Sequence, residues 1–325
     1  MDITRIGVLT SGGDAPGMNA AIRAVVRTAQ ASGVECLGIK RGYNGLINGD
    51  ISVMDSKNVN GIILKGGTIL YTARCPEFIT EEGQKRARDT CKYLGIQGVI
   101  AIGGDGTFRG AKDLSAQGIS TIGIPATIDN DIACSHYSIG FDTACNTAID
   151  AIDKLRDTMQ AHERCSIVEV MGRHAGHLAI YVGIACGAAV VMIPEKKADF
   201  EKDVIDTLRK NRIAGRNHFL VIVAEGVGKA DDIANRIKQE TGIDTRVSVL
   251  GHIQRGGSPT ARDRVTASRM GRKAVELILE GKTNRVVSFV NSELVDYDIN
   301  EALEMKKPVQ EDMLHTTRVL TQGKL

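Results

Sequence analysis

The stretch GVIAIGGDGT, residues Gly98–Thr107, decides the fold class. Gly98–Ile102 is apolar without a polar alternation, which is how a strand covered on both faces reads. Two glycines then break the strand, and a helical pattern runs over Phe108–Gln117. The same strand, glycine-rich turn and helix occur at the start of the chain. There Arg5–Thr10 (RIGVLT) leads into SGGDAPGMN and a helix from about Asn19 to Ala31. Further strands are expected at Thr121–Ile124, Ser166–Met171, Ala188–Ile193, Phe219–Ala224, Val247–Leu250 and Arg285–Val290. Apolar runs alternating with helices imply an α/β protein with mostly parallel sheets. Two longer helices stand out. One carries Phe141, Cys145, Ala148, Ile152, Leu155 and Met159 on a single face. The other is expected to be capped at Ser258-Pro259 and to stop near Gly281.

Composition narrows the function. The 325 residues are 42% hydrophobic and 25% charged, an ordinary globular balance with room for two domains of about 150 residues. A net charge of +2, 4% aromatics and no Trp give little support to nucleic-acid binding. Seven cysteines without a Cys-x-x-Cys spacing argue against a zinc site or a disulfide framework and suit reduced core thiols. The longest apolar stretch, Leu178–Ile193, is interrupted by Gly183 and Gly187 and ends at Pro194. It is too short for a span of about 20 residues and reads as a buried helix running into a buried strand. Asp2 and Arg5 around a short apolar run do not resemble a secretory signal. A soluble, intracellular protein is expected.

In parallel α/β sheets ligands bind beyond the carboxyl ends of the strands. The turns there are SGGD, GGDGT, PATIDND, MGRHAG, AEGVG and GHIQRGG. In Gly103–Thr107, glycines let backbone N–H groups approach a phosphate chain at a helix N-terminus, and Asp105 is a natural Mg²⁺ ligand. The same residues also make a ligand-free strand-to-helix turn. A Walker A loop is excluded, because Glu276 replaces the first glycine of the nearest match. A dinucleotide fingerprint fails at Arg109. Thr127–Asp131 offers two carboxylates in three residues, either an Asx-rich turn or a base and a metal ligand for phosphoryl transfer to a hydroxyl. Arg74, Arg164, Arg173, Arg246, His252 and Arg255 supply cations suited to a phosphorylated substrate.

Taken in order, IGVLTSGGDAPGMNAAIR, GGDGT, GIPATIDNDI, VMGRHAGHLA, AEGVG and VLGHIQRGGSPTARDR resemble the bacterial 6-phosphofructokinases over almost the whole chain. The resemblance implies transfer of the ATP γ-phosphoryl group to the 1-hydroxyl of fructose 6-phosphate, with Mg²⁺, in a glycolytic, cytoplasmic enzyme. It implies Asp129 as base, Thr127 against the transferring group, and Asp105 with Asp131 at the metal. Arg74 and Arg173 would neutralise charge, and Gly13 would lie against the phosphates. Cys75, Gly104, Gly106 and Thr107 would border ATP. Ile128, Met171, Gly172, Glu225, His252, Ile253, Gln254 and Arg255 would hold the sugar phosphate. Arg164 and Arg246 would come from a neighbouring subunit of a homotetramer. Two domains are implied: 1–138 with 252–305 for ATP, and 139–251 with 306–325 for fructose 6-phosphate.

The donor turns on two positions. Pyrophosphate-using relatives resemble GGDD and PKTIDND, whereas here Gly106 leaves room for ATP and Ala126 supplies no ammonium. Ala126 departs from the glycine usual in ATP users, and its methyl is expected to tighten the site. The family's effector site, where ADP activates and phosphoenolpyruvate inhibits, is matched by Arg23, Arg27, Arg156, Arg216 and His218. It is degraded at Ser56, Ala214 and Ala189, which replace two cations and an acidic metal ligand. Two alternatives remain at this level: a pyrophosphate-dependent enzyme, and a non-catalytic sugar-phosphate-binding regulatory subunit.

Overall fold

The computed structural model describes residues 3–321. The chain divides into two compact units. The first holds the residues up to Ile128, Ile132–Thr143 and Arg255–Lys307. The second holds Asp129–Asp131, Ala144–Gln254 and the described residues from Pro308 on.

Strands are β1 (Arg5–Thr10), β2 (Glu35–Ile39), β3 (Ile51–Met54), β4 (Gly98–Gly103), β5 (Ser120–Pro125), β6 (Cys165–Val170), β7 (Val190–Met192), β8 (Phe219–Ala224), β9 (Thr245–Val249), β10 (Arg285–Val290) and β11 (Glu293–Asp298). The first unit carries a seven-stranded sheet in the order β11-β10-β5-β4-β1-β2-β3. Its five central strands are parallel, with Ile6 opposite Gly98 and Leu9 opposite Ala101, and both edge strands are antiparallel. From β1 the chain moves outward to β3; after β4 it moves the other way. This reversal between β1 and β4 is where an open α/β sheet forms a crevice. The second unit has a four-stranded parallel sheet, β7-β8-β6-β9.

Each sheet has its own core. In the first unit Leu9, Val99, Ala101 and Phe108 pack with Leu114 and Tyr43, whose ring stacks on Phe78 at 4.3 Å. In the second, Ile167, Val204, Leu208, Phe219 and Val221 pack together. Six of the seven cysteines are buried, and burial pushes the thiols of Cys36, Cys91 and Cys165 up to about 12. Among the described residues no helix is long and apolar enough to cross a membrane. Leu178–Ile193 folds as expected, as helix His177–Ala185 followed by β7.

The cap at Ser258 is a correction. Helix Ala261–Leu279 starts three residues later, and its cap is Thr260, whose hydroxyl accepts the Asp263 N–H. Ser258 instead donates its hydroxyl to the Leu64 carbonyl, which takes it out of the helix. Asp263 itself is fully buried. Its carboxylate accepts the Gly140 N–H at 2.7 Å and the Thr143 N–H at 2.9 Å, together with the hydroxyls of Tyr137 and Thr143. Thr260 answers with a 2.7 Å bond to the Asp142 carboxylate, and its N–H reaches the Thr143 hydroxyl. The starts of helices Phe141–Ala161 and Ala261–Leu279 are therefore locked to each other. Asp263→Ala strands several buried donors at about 1–3 kcal/mol each, so a loss of at least about 3 kcal/mol is expected. The urea midpoint should fall at unchanged m-value, with Asp263→Asn falling less because it keeps one acceptor oxygen.

Candidate functional site

In the first unit the turns after β1 and β4 interlock. The Ser11 N–H donates to the Ile102 carbonyl at 3.0 Å, and the buried Thr107 hydroxyl donates to the Ser11 carbonyl at 3.1 Å. Gly103 has to be glycine, because a Cβ there would lie 2.3 Å from Thr107 Oγ1 and 2.4 Å from the Ser11 carbonyl oxygen. The helix begins inside the motif, at Asp105 with Gly104 as N-cap, earlier than the expected Phe108. Asp105 is thus a half-buried carboxylate in the first helical turn, where the helix dipole favours negative charge. A Cβ on Gly106 would meet nothing within 4 Å, so the space over that residue is open.

Ala126 is 1% exposed and its N–H donates to the Gly103 carbonyl at 2.9 Å. Its methyl is packed inside the unit. Arg255 Nη1 donates to the Asp14 carbonyl at 3.2 Å, and a Cβ on Gly13 would come within 2.7 Å of the same nitrogen. The structure therefore brings Gly13 and Arg255 together. Arg74 is exposed and Cys75 half-buried, next to the short helix Pro76–Ile79. Thr127 is half-buried and Ile128 fully buried.

In the second unit Asp129 is 2% exposed, and the Arg173 guanidinium lies 3.7 Å from its Oδ2. Asn130, beside it, has a left-handed backbone with φ 51°, and Asp131 is half-buried. Arg173 also has a left-handed backbone, φ 54°. Its N–H donates to Glu225 Oε1 at 2.7 Å, as does that of Gly172 at 3.2 Å, so the turn after β6 is fastened to the first residue after β8. Met171 is buried, His252 and Ile253 are exposed, and Gln254 is fully buried.

Arg164 and Arg246 share one carboxylate that the motifs do not reveal. Asp244 accepts from Arg164 at 2.6 Å and from Arg246 at 3.4 Å. Burial pushes its carboxyl up, but the hydrogen bond from Arg164 and the charge of Arg246 outweigh this and hold it below the ordinary value. Arg156, Arg216 and His218 line a cavity of about 250 Å³ with Gly187 and Ala189, and Arg156 donates to the Cys186 carbonyl. Arg23 and Arg27 belong to the first unit, on helix Met18–Ala31. Among the described residues no three His, Cys, Asp or Glu side chains gather as a metal cluster.

Fold and turns together define a two-unit α/β protein in which the SGGD, GGDGT, TIDND, MGRHAG and AEGVG turns follow parallel strands. The family model described as phosphofructokinase matches residues 5–278, and the chain belongs to the phosphofructokinase family. It is 56% identical over 317 residues to an ATP-dependent 6-phosphofructokinase of Clostridium tetani, covering 98% of this chain and 99% of that one. Among solved structures, phosphofructokinase from Saccharomyces cerevisiae matches with a TM-score of 0.88 and 31% identity over 98% of this chain. The chain spans about half of that yeast polypeptide, 48% of its length. A pyrophosphate-dependent phosphofructokinase from Marinobacter aquaeolei matches at TM-score 0.83 and 22% identity, over 99% of this chain and 93% of that one, a likeness of fold alone.

Proposed function

We propose that the chain is an ATP-dependent 6-phosphofructokinase, transferring the ATP γ-phosphoryl group to the 1-hydroxyl of fructose 6-phosphate to give fructose 1,6-bisphosphate and ADP. The observation that carries this reading is the 56% identity, over 98% of this chain, with a relative of that name. The site geometry is consistent with it. The first unit supplies the nucleotide half from Gly13, Arg74, Cys75, Gly104, Asp105, Gly106 and Thr107. For the sugar phosphate the motifs assign Met171, Gly172, Glu225, His252, Ile253 and Gln254, with Thr127, Ile128 and Arg255. The open space at Gly106 favours ATP as donor, and the packed methyl of Ala126 offers no ammonium to pyrophosphate.

Asp129 is the base. A buried carboxylate keeps its acceptor oxygens away from bulk water, and general-base help of this kind contributes about 10²–10⁴-fold. Arg173, 3.7 Å away, balances that charge and lies ready to take up negative charge as the phosphoryl group moves, together with Arg74. By motif Asp105 and Asp131 are the carboxylates assigned to Mg²⁺, a hard cation that takes oxygen ligands and would neutralise phosphate oxygens. Arg164 and Arg246, held by Asp244, complete a neighbour's sugar-phosphate site in a homotetramer, an assembly that sedimentation velocity would read directly. A glycolytic role in the cytoplasm goes with this reading.

Asp129→Ser should lower kcat by two to four orders of magnitude while fructose 6-phosphate binding, followed by calorimetry, persists. Unchanged turnover would remove Asp129 from the role of base. Ala189 lines the cavity and supplies no charge, and Ser56 and Ala214 stand where the family's effector site has cations. Weaker anion capture and a weaker metal-linked ADP contact follow. ADP activation should be blunted or absent and phosphoenolpyruvate inhibition weakened. A large ADP-dependent drop in the half-saturating fructose 6-phosphate concentration would contradict this.

A further inference from the structure

We propose that Glu195 is a positioning residue for phosphoryl transfer, acting through the Met171–Gly176 turn on the guanidinium of Arg173. The inference rests on the role given to Arg173 above. It starts from a conformational problem: Arg173 is a side-chain-bearing residue in the left-handed region, preceded by Gly172 at φ 139°. Such a backbone persists only where its surroundings over-determine it.

The turn is held at both ends by carboxylates. At the near end Glu225 Oε1 accepts the Gly172 and Arg173 N–H groups. Within the turn the Ala175 N–H donates to the Gly172 carbonyl at 2.8 Å. At the far end the Gly176 N–H donates to Glu195 Oε1 at 2.7 Å. A Cβ on Gly176 would lie 2.8 Å from Glu195 Oε2 and 2.4 Å from Ile193 Cγ2, so the Ile193–Glu195 segment is folded directly over the end of the turn. The same segment reaches the other side of Arg173. A Cβ on Gly226 would sit 2.2 Å from the Arg173 carbonyl oxygen and 3.2 Å from the Pro194 ring.

Glu195 is exposed. An exposed acid of this kind contributes little to global stability, but its bond from the Gly176 N–H closes the turn that sets Arg173 opposite Asp129. A carboxylate is well placed there, because Gly176 is the N-cap of helix His177–Ala185 and the dipole at that end favours negative charge. A misplacement of about 1 Å in a charge-stabilising group costs up to about a hundredfold in rate. The effect therefore belongs in kcat.

The test is a double-mutant cycle on the full-length enzyme, measuring kcat and both KM values for wild type, Glu195→Ala, Glu195→Gln, Arg173→Ala and the Glu195→Ala/Arg173→Ala pair, with thermal unfolding alongside. Glu195→Ala should lower kcat about tenfold with the ATP KM and the unfolding midpoint unmoved. Glu195→Gln, which keeps an acceptor oxygen, should restore most of that loss. In the Arg173→Ala background the Glu195→Ala change should cost less than twofold, because the side chain it positions is gone. Wild-type kcat in Glu195→Ala, or losses that multiply across the cycle, would overturn the proposal. Wild-type kcat in Arg173→Ala would overturn the role of Arg173 itself, a failure the cycle separates from that of Glu195.

Discussion

The Asp263 carboxylate is the constraint on which the first unit depends. That unit is assembled from three stretches of chain, and Asp263 joins the second to the third across 120 residues of sequence. It is fully buried, and burial pushes its carboxyl up from the ordinary value against the pull of the hydrogen bonds it accepts. A charge in that position is tolerated because backbone and hydroxyl donors surround it. In sequence, the two segments it locks, at Tyr137–Thr143 and Thr260–Asp263, come a few residues after TIDND and HIQRGG.

Parallel sheets explain how residues so far apart in sequence reach common turns. All strand ends that matter point the same way within each sheet, so the turns after β1 and β4 meet in one unit and those after β6 and β8 in the other. Side-chain and backbone hydrogen bonds then set the detail: Thr107 to Ser11, and Glu225 to the N–H groups of Gly172 and Arg173. The chemistry of the loops is thereby separated from the packing of the cores beneath them.

Much of the fold was legible because the central strands β1, β4, β5, β6 and β8 are buried on both faces and read as mainly apolar runs, β6 interrupted at Ser166 and Glu169. Three strands were not expected. β3 exposes two of its four residues and β11 (ELVDYD) is a polar edge strand, neither buried enough to leave a pattern, while β2 (ECLGI) is buried but only five residues long and broken by Gly38. Helix Glu81–Tyr93 buries only Gly83, Ala87 and Cys91, too narrow a stripe to stand out. At the site the individual turns were legible, but the carboxylates that organise them were not. Asp244, Glu195 and Asp263 act on an arginine or on backbone N–H groups 80, 19 and 120 residues away in sequence. Only Asp263 left a local trace, standing three residues after its cap Thr260, the spacing of a capping box.

The donor is the point at which fold stops being informative, since a pyrophosphate-dependent phosphofructokinase shares the architecture. The most direct measurement is fructose 1,6-bisphosphate formation from fructose 6-phosphate and Mg²⁺, with ATP in one series and pyrophosphate in a parallel one. The account predicts turnover with ATP and none with pyrophosphate. Turnover with pyrophosphate would contradict the reading of Gly106 and Ala126, and silence in both series would contradict the assignment of a catalytic role.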